Sequence, residues 1–191
     1  MGLSGIKGDG LPAFSSGILL LEIQGPDEEH LSVIDVPSTF ENTKPGVTTK
    51  DDKSMINNLV LNYMNNSRSI ILAVVPANVD VATQKVDQTA RDIDPDGLRT
   101  LRVLTKPDLV DKGAEQTAVS LVNGSGSQSE LGWVLVRNLG HSELQEGTVD
   151  RAEAEKAFSY SSPWSAVDPQ KFGIQALICD FQPTHTASRC G

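Results

Sequence analysis

The chain has 191 residues, which is enough for one domain with a sizeable core. Hydrophobic residues make up 38% and charged residues 21%, values typical of a globular protein rather than a wholly disordered one. Because 25 acidic residues outnumber 16 basic ones, the net charge of -9 argues against binding to nucleic acid or anionic lipid through a basic surface.

Compartment and membrane association are indicated by the cysteines and the apolar runs. Cys179 and Cys190 lie near the C-terminus without metal-ligand spacing, which favours a reducing compartment. The longest apolar runs, "GILLLEI" and "SIILAVV", are much shorter than the roughly 20 residues that a membrane-spanning helix needs. We therefore predict a soluble cytoplasmic protein without a transmembrane segment.

The first third of the chain predicts a hairpin followed by a helix. Two β-rich runs, 15–25 and 31–37, flank the turn signal "PDEEH" and are expected to pair as antiparallel strands. From Asp51, adjacent apolar pairs recur every four residues as far as Met64, which predicts a helix with one buried face.

Strands and helices then alternate along the rest of the chain. "RSIILAVVPAN" is a nearly continuous apolar run, typical of a strand buried on both faces of a parallel sheet. A helix over Asp80–Ile93, the strand "RTLRVL", the helix "AEQTAVSLV", the strand "LGWVLVRN" and a helix around "DRAEAEKAFSY" follow. This order predicts an α/β fold with a mostly parallel sheet, whose ligands bind at the carboxyl ends of the strands.

The end of the predicted strand "LSVID" carries Asp35. In a nucleotide hydrolase, a carboxylate at such a position orients a magnesium ion, and the following turn senses the terminal phosphate. The alternative is an aspartate that caps the turn before the loop "TFENTKPG".

The end of "RTLRVL" carries the segment "TKPD". The Asp108 carboxylate can accept two hydrogen bonds from the N–H groups of guanine, while the stem of Lys106 lies over the base. The alternative is an aspartate that N-caps the next turn beside a solvated lysine.

Arg137 and Asn138 leave the strand "WVLV" beside the expected position of the base, and their alternative role is simply to begin a loop. Other metal sites are disfavoured by spacing. "DIDPDG" begins like a calcium loop, but Val103 occupies the position that requires a glutamate. The three histidines are scattered and form no zinc-ligand pattern.

Taken in order, these segments resemble the GTPase domain of the dynamin superfamily, most closely its fungal dynamin-like members. The resemblance is carried by "PAN-D-x-A", "DP-x-G-x-RT", "LTKPDLVDKG", "LGWVLVRNLG" and "SSPW". It implies a three-layer, P-loop NTPase-like (Ras-like) G domain that binds GTP or GDP with Mg²⁺. It further implies that Asp35 serves the magnesium and terminal phosphate, that Thr105, Lys106 and Asp108 recognise guanine, and that Arg137 and Asn138 lie on the base and ribose side.

The departures from the family pattern concern the phosphates. The start "MGLSGIKGDGLPAF" contains no Gly-rich loop ending in Gly-Lys-Ser, so the first strand and the phosphate loop are expected to be missing. Ser38 replaces the glycine of the family's Asp-x-Pro-Gly turn, where a side chain obstructs close approach to a phosphate. Since phosphoryl transfer depends on positioning and charge neutralisation, we predict a GTP-binding domain whose hydrolysis is weak or lost.

The resulting domain prediction is a non-matching segment 1–13, a partial dynamin-type G domain over 14–178 and a divergent tail over 179–191. The resemblance implies partners besides the nucleotide, namely other dynamin-like chains or microtubules, and a link to membrane remodelling. The alternative function is a non-enzymatic interaction module that associates with intact dynamin-like proteins. The resemblance implies a GTPase, and the absent phosphate-binding loop is the departure that bears on this activity.

Overall fold

A computed structural model describes residues 25, 32–35, 50–124 and 131–181. The chain divides into two compact units, Met1–Asn66 and Ser67–Gly191, and each is described by itself. Most of the predicted hairpin and the start "MGLSGIKGDGLPAF" lie outside the described residues, as do residues 125–130.

The first unit contains helix α1, Lys50–Met64, where the apolar spacing predicts a helix. Ile56 is buried, whereas Ser54 and Asn58 on the opposite side are exposed, which confirms the predicted single buried face. Residues 32–35 differ from the prediction: they form no strand, and Val33 and Ile34 are exposed. A strand is held by hydrogen bonds to a neighbouring strand. In the described part of the chain, no strand pairs with these four residues.

The second unit alternates strands with helices, as predicted for an α/β fold. Its strands are β1 (Ile71–Pro76), β2 (Thr100–Thr105) and β3 (Trp133–Val136). Its α-helices are α2 (Lys85–Ile93), α3 (Glu115–Val122), α4 (His141–Glu146), α5 (Arg151–Ser159) and α6 (Gly173–Phe181).

The three strands form one parallel sheet in the order β1-β2-β3. Pro76, Thr105 and Val136 are register partners, so the three strands end at the same level. This confirms the predicted fold class. It also brings the loops that follow β1, β2 and β3 to one edge of the sheet, where ligands of parallel α/β folds bind.

Two apolar clusters cover the two faces of the sheet. On one face Val75, Leu104 and Leu135 pack with α3 and with Trp164. On the other, Leu101, Val103 and Val134 pack with Ala176 of α6. Helices on both faces of a parallel sheet give the expected three layers.

Strand β1 differs from the expectation that both of its faces are buried. Its side chains alternate, with Ile71, Ala73 and Val75 buried but Leu72 and Val74 exposed. The cause is its position at the end of the described sheet. Leu72 and Val74 lie on the same face as Leu101 and Val103, the face on which α6 packs. Helix α6 contacts β3 there, and among the described elements no helix covers β1 on this face.

Helix boundaries also differ from the sequence predictions. Asp80 caps a short 3-10 turn, Val81–Thr83, by accepting a hydrogen bond from the Ala82 N–H at 3.0 Å, and α2 begins only at Lys85. Helix α4 was not predicted because its six residues are too few to show an apolar period. Helix α6 continues to Phe181, into the first residues of the predicted divergent tail.

Candidate functional site

The turn after β2 carries the predicted guanine-recognition residues. Thr105 is the last residue of β2, and its hydroxyl donates to the Val75 carbonyl at 3.4 Å. The Thr105 carbonyl accepts from the Ala77 N–H at 2.7 Å. Thr105 therefore ties the end of β2 to the end of β1.

Lys106 turns the chain sharply at the end of β2. Its φ of 56° and ψ of 45° lie in the left-handed region. Among the described residues other than glycine, only Lys106 has a positive φ. Residues with a Cβ adopt this conformation at a cost, and such positions concentrate at functional sites. The buried ring of Pro107 follows immediately and begins a 3-10 turn, Pro107–Leu109.

Asp108 lies in the first turn of that 3-10 segment and is exposed. Lys106 occupies the N-cap position of this turn, and no side chain there accepts a hydrogen bond from the backbone of the turn. The alternative in which Asp108 serves as an N-cap is therefore wrong. Its carboxylate makes no hydrogen bond or ion pair with any part of the chain that the structure describes, so both oxygens are available to a ligand.

The loop after β3 carries Arg137 and Asn138. Arg137 Nη2 donates to both oxygens of Glu143, at 2.7 and 2.8 Å. The Arg137 guanidinium lies 5.9 Å from the centre of the Phe158 ring, a cation–π distance. Asn138 is exposed, and its side-chain oxygen accepts from Arg151 Nη2 at 3.1 Å.

Glu143 connects this loop to helix α4. Its Oε2 also accepts from the Gly140 N–H at 2.6 Å, which closes the first turn of the helix. The hydrogen bond from Arg137, with that from Gly140, holds the pKa of the Glu143 carboxyl below its ordinary value. Glu143 therefore stays charged throughout the neutral range.

Three neighbours of the predicted site were not predicted from the sequence: Glu143, Phe158 and Arg151. Glu143 had only half of a local signal, because a capping box needs Ser or Thr at the N-cap and Gly140 has no side chain. Phe158 and Arg151 reach the loop from α5, which is a tertiary contact that spacing does not reveal.

The fold brings five of the six predicted site residues to one edge of the sheet. Thr105 pairs with Val136, so Lys106–Asp108 and Arg137–Asn138 leave neighbouring strands at the same level. Asp35 belongs to the other unit, where it is exposed.

A magnesium ion would suit Asp35 chemically. Mg²⁺ keeps several water ligands and is commonly held by one or two carboxylates together with substrate phosphates, so a single exposed carboxylate fits. Within the described ranges no group of three or more His, Cys, Asp or Glu residues has metal-binding geometry. Nor does any described helix combine the length and apolar character needed to cross a membrane.

Comparison with known proteins places these observations in a family. The sequence model of the Dynamin family matches residues 6–107, slightly more than half of the chain. The chain is similar to the interferon-induced GTP-binding protein Mx of Epinephelus coioides, with 39% identity over 146 residues, 75% of this chain and 23% of that protein. It is also similar to the interferon-induced GTP-binding protein Mx2 of Canis lupus familiaris, with 36% identity over 161 residues, 83% of this chain and 22% of that protein.

The chain thus spans about a quarter of the length of these relatives. The finer resemblance to fungal members and the boundaries of segments 1–13, 14–178 and 179–191 stay predictions. The match to the family over more than half of the sequence, on a parallel α/β sheet with the expected strand ends, confirms the predicted superfamily: this chain belongs to the dynamin family.

Proposed function

We propose that this chain binds guanine nucleotides at the carboxyl ends of β2 and β3. The observation that carries the proposal is the unpartnered, exposed carboxylate of Asp108, which follows a left-handed turn at Lys106 on the edge shared with Arg137 and Asn138. The names of the Mx relatives, which describe GTP-binding proteins, support the same ligand.

Each residue has a distinct role in this proposal. Asp108 accepts hydrogen bonds from the ring and amino N–H groups of guanine. Adenine has no N–H groups at these positions and would leave the carboxylate unpaired, so it should bind more weakly. The Lys106 stem lies over the base, and Thr105 keeps the turn in register with β1. Arg137 and Asn138 lie on the base and ribose side.

We further propose that these 191 residues bind the nucleotide weakly and hydrolyse GTP slowly or not at all. They contain no Gly-Lys-Ser segment, and Ser38 stands where a glycine would allow a phosphate to approach. Asp35 would hold Mg²⁺, which when bound neutralises charge on the phosphates. Association with other dynamin-like chains or microtubules, membrane remodelling and a cytoplasmic location remain proposals for the longer proteins of this family.

The proposal is tested by titrating the purified chain with fluorescent GDP and GTP in magnesium, with unlabelled ATP as competitor. We expect saturable binding that ATP does not displace. Asp108→Asn should weaken it by at least about tenfold, because hydrogen bonds to a charged group contribute about 1.5–3 kcal/mol each. Asp111→Asn, which removes a nearby exposed carboxylate, should bind like the parent chain.

A gain of function sharpens this test. Xanthine carries an oxygen where guanine carries the amino group, so the amide of Asp108→Asn should donate to it and the variant should prefer xanthine nucleotides. A folded chain that binds no guanine nucleotide at millimolar concentration would contradict the proposal. An Asp108→Asn variant that binds as well as the parent would favour the non-enzymatic interaction module instead.

A further inference from the structure

The loop after β3 is fixed by side chains from two helices. Glu143 of α4 binds Arg137 through Nη2 and also accepts from the Gly140 N–H. Arg151 of α5 donates to Asn138. The two residues proposed to face the nucleotide are thus held by neighbours outside the set that the sequence predicts.

Arg137 is only partly satisfied by these contacts. Its side chain is 12% exposed, and its Nε and Nη1 are buried without a hydrogen-bond partner among the described residues. A guanidinium has five N–H donors and no acceptor, so two of its three nitrogens still need an oxygen acceptor. A buried donor without a partner is unfavourable, and a ligand oxygen that pairs with it relieves that cost.

From this geometry we infer that Glu143 is a positioning residue of the nucleotide site. It holds the Arg137 guanidinium by one nitrogen and directs the other two toward oxygen acceptors of the bound nucleotide, on its ribose or its phosphates. This inference rests on the proposed function.

The orientation of the guanidinium explains why a carboxylate is needed at position 143. Arg137 is packed on one side against Phe158, and on its edge Nη2 meets both Glu143 oxygens. An Arg side chain is otherwise free to rotate about four bonds, and a charged partner on a short helix removes that freedom. Because Glu143 is itself anchored by the Gly140 N–H, it is a fixed point for the guanidinium.

The test measures GDP affinity of the full chain by calorimetry for the parent, Glu143→Gln and the control Glu146→Gln. Glutamine at position 143 can still accept from Gly140 but loses the charge that holds Arg137. Glu146→Gln removes the same charge from an exposed position of the same helix. We expect Glu143→Gln to weaken GDP binding by about tenfold, as for loss of a hydrogen bond to a charged group, and Glu146→Gln to leave it unchanged.

A second background separates positioning from a general structural effect. If Glu143 acts through Arg137, Glu143→Gln should have no further effect in a chain that already carries Arg137→Ala. Should Arg137→Ala fail to fold, Arg137→Lys replaces it, because lysine keeps the charge and most of the apolar stem but lacks the forked nitrogens. Repeating the titrations with guanosine identifies the acceptor: a loss seen with GDP alone places it on the phosphates, and a loss seen with both places it on the ribose.

Two outcomes overturn the inference. Equal GDP affinity for Glu143→Gln and Glu146→Gln shows that Glu143 has no part in binding. A tenfold loss that persists in the Arg137→Ala background shows that Glu143 only stabilises the loop. Failure of the proposed function is recognised separately, because the parent chain itself would then bind no GDP and Asp108→Asn would change nothing.

Discussion

The second unit contains two carboxylate–guanidinium pairs that look alike and occupy different surroundings. Asp87 of α2 accepts from Arg102 Nε of β2 at 2.6 Å, with side chains 2% and 6% exposed. Glu143 accepts from Arg137 at 2.7 Å, with side chains 26% and 12% exposed. Each arginine also lies 5.9 Å from an aromatic ring centre, Trp133 for Arg102 and Phe158 for Arg137.

The surroundings assign the two pairs different consequences. The Asp87–Arg102 pair joins a helix to the central strand of the described sheet, where neither charge can be hydrated if its partner is lost. The Arg137–Glu143 pair lies in the loop after β3, where the Glu143 side chain is 26% exposed and water can reach its carboxylate. Loss of the first pair should therefore reduce the stability of the fold, whereas loss of the second should change the site.

The largest loss of stability should come from breaking the Asp87–Arg102 pair, which we call the enclosed pair. Asp87→Ala leaves the Arg102 charge buried without its carboxylate, and removal of one partner of a buried pair costs about 3–5 kcal/mol. Arg91 also binds Asp87, but its side chain is 62% exposed and stays hydrated, so only Arg102 is left buried without its carboxylate. Urea unfolding followed by circular dichroism measures the loss.

Asp92→Ala is the matched control for this experiment, because it removes an exposed aspartate from the same helix and should change the unfolding free energy by less than about 0.5 kcal/mol. If the two variants unfold at the same urea concentration, the enclosed pair does not stabilise the sheet.

A third carboxylate of this unit, Asp94, is held by uncharged donors. Asp94 is buried and accepts hydrogen bonds from the Leu98 and Arg99 N–H groups, at 3.2 and 3.1 Å, and from the Thr100 hydroxyl. Burial raises the pKa of the Asp94 carboxyl, but these hydrogen bonds outweigh it, and the pKa lies below its ordinary value of 3.8. Asp94→Asn should cost about 1–3 kcal/mol, since the amide cannot accept from all three donors.

The pH dependence of that cost has a definite sign. A group whose pKa is lower in the folded state stabilises the protein above its ordinary pKa, and this contribution is lost as pH falls through the folded value. The difference in unfolding free energy between the parent and Asp94→Asn should therefore be constant from pH 5 to 7 and shrink below about pH 3.8. A difference that grows with acidification is incompatible with the assigned contacts.

The two pairs also mark what could be predicted from sequence. The alternation of predicted strands with predicted helices was enough to predict the parallel sheet. The strand-end positions of the predicted site residues followed from the same pattern, namely Lys106, Asp108, Arg137 and Asn138. Neither ion pair was predicted. Asp87 and Arg102 are 15 residues apart, and their pairing depends on how α2 packs on the sheet, which local periodicity does not encode.

The exposed side of β1 could not be predicted for a related reason. The run "IILAVV" has apolar residues at every position, so its composition cannot distinguish a strand covered on both faces from one covered on a single face. Only the position of β1 at the end of the described sheet decides that Leu72 and Val74 are exposed.

The Arg137–Glu143 pair should contribute less to stability than the Asp87–Arg102 pair. Glu143→Gln removes a carboxylate whose side chain is 26% exposed, whereas Asp87 is 2% exposed, so its loss should destabilise the fold less than Asp87→Ala does. Its urea midpoint should fall by less than that of Asp87→Ala, because water reaches position 143 and glutamine can still accept from the Gly140 N–H. Its GDP affinity should fall, because Arg137 is no longer held by a charged partner. A Glu143→Gln chain destabilised as strongly as Asp87→Ala would show that the β3–α4 loop supports the fold rather than the ligand.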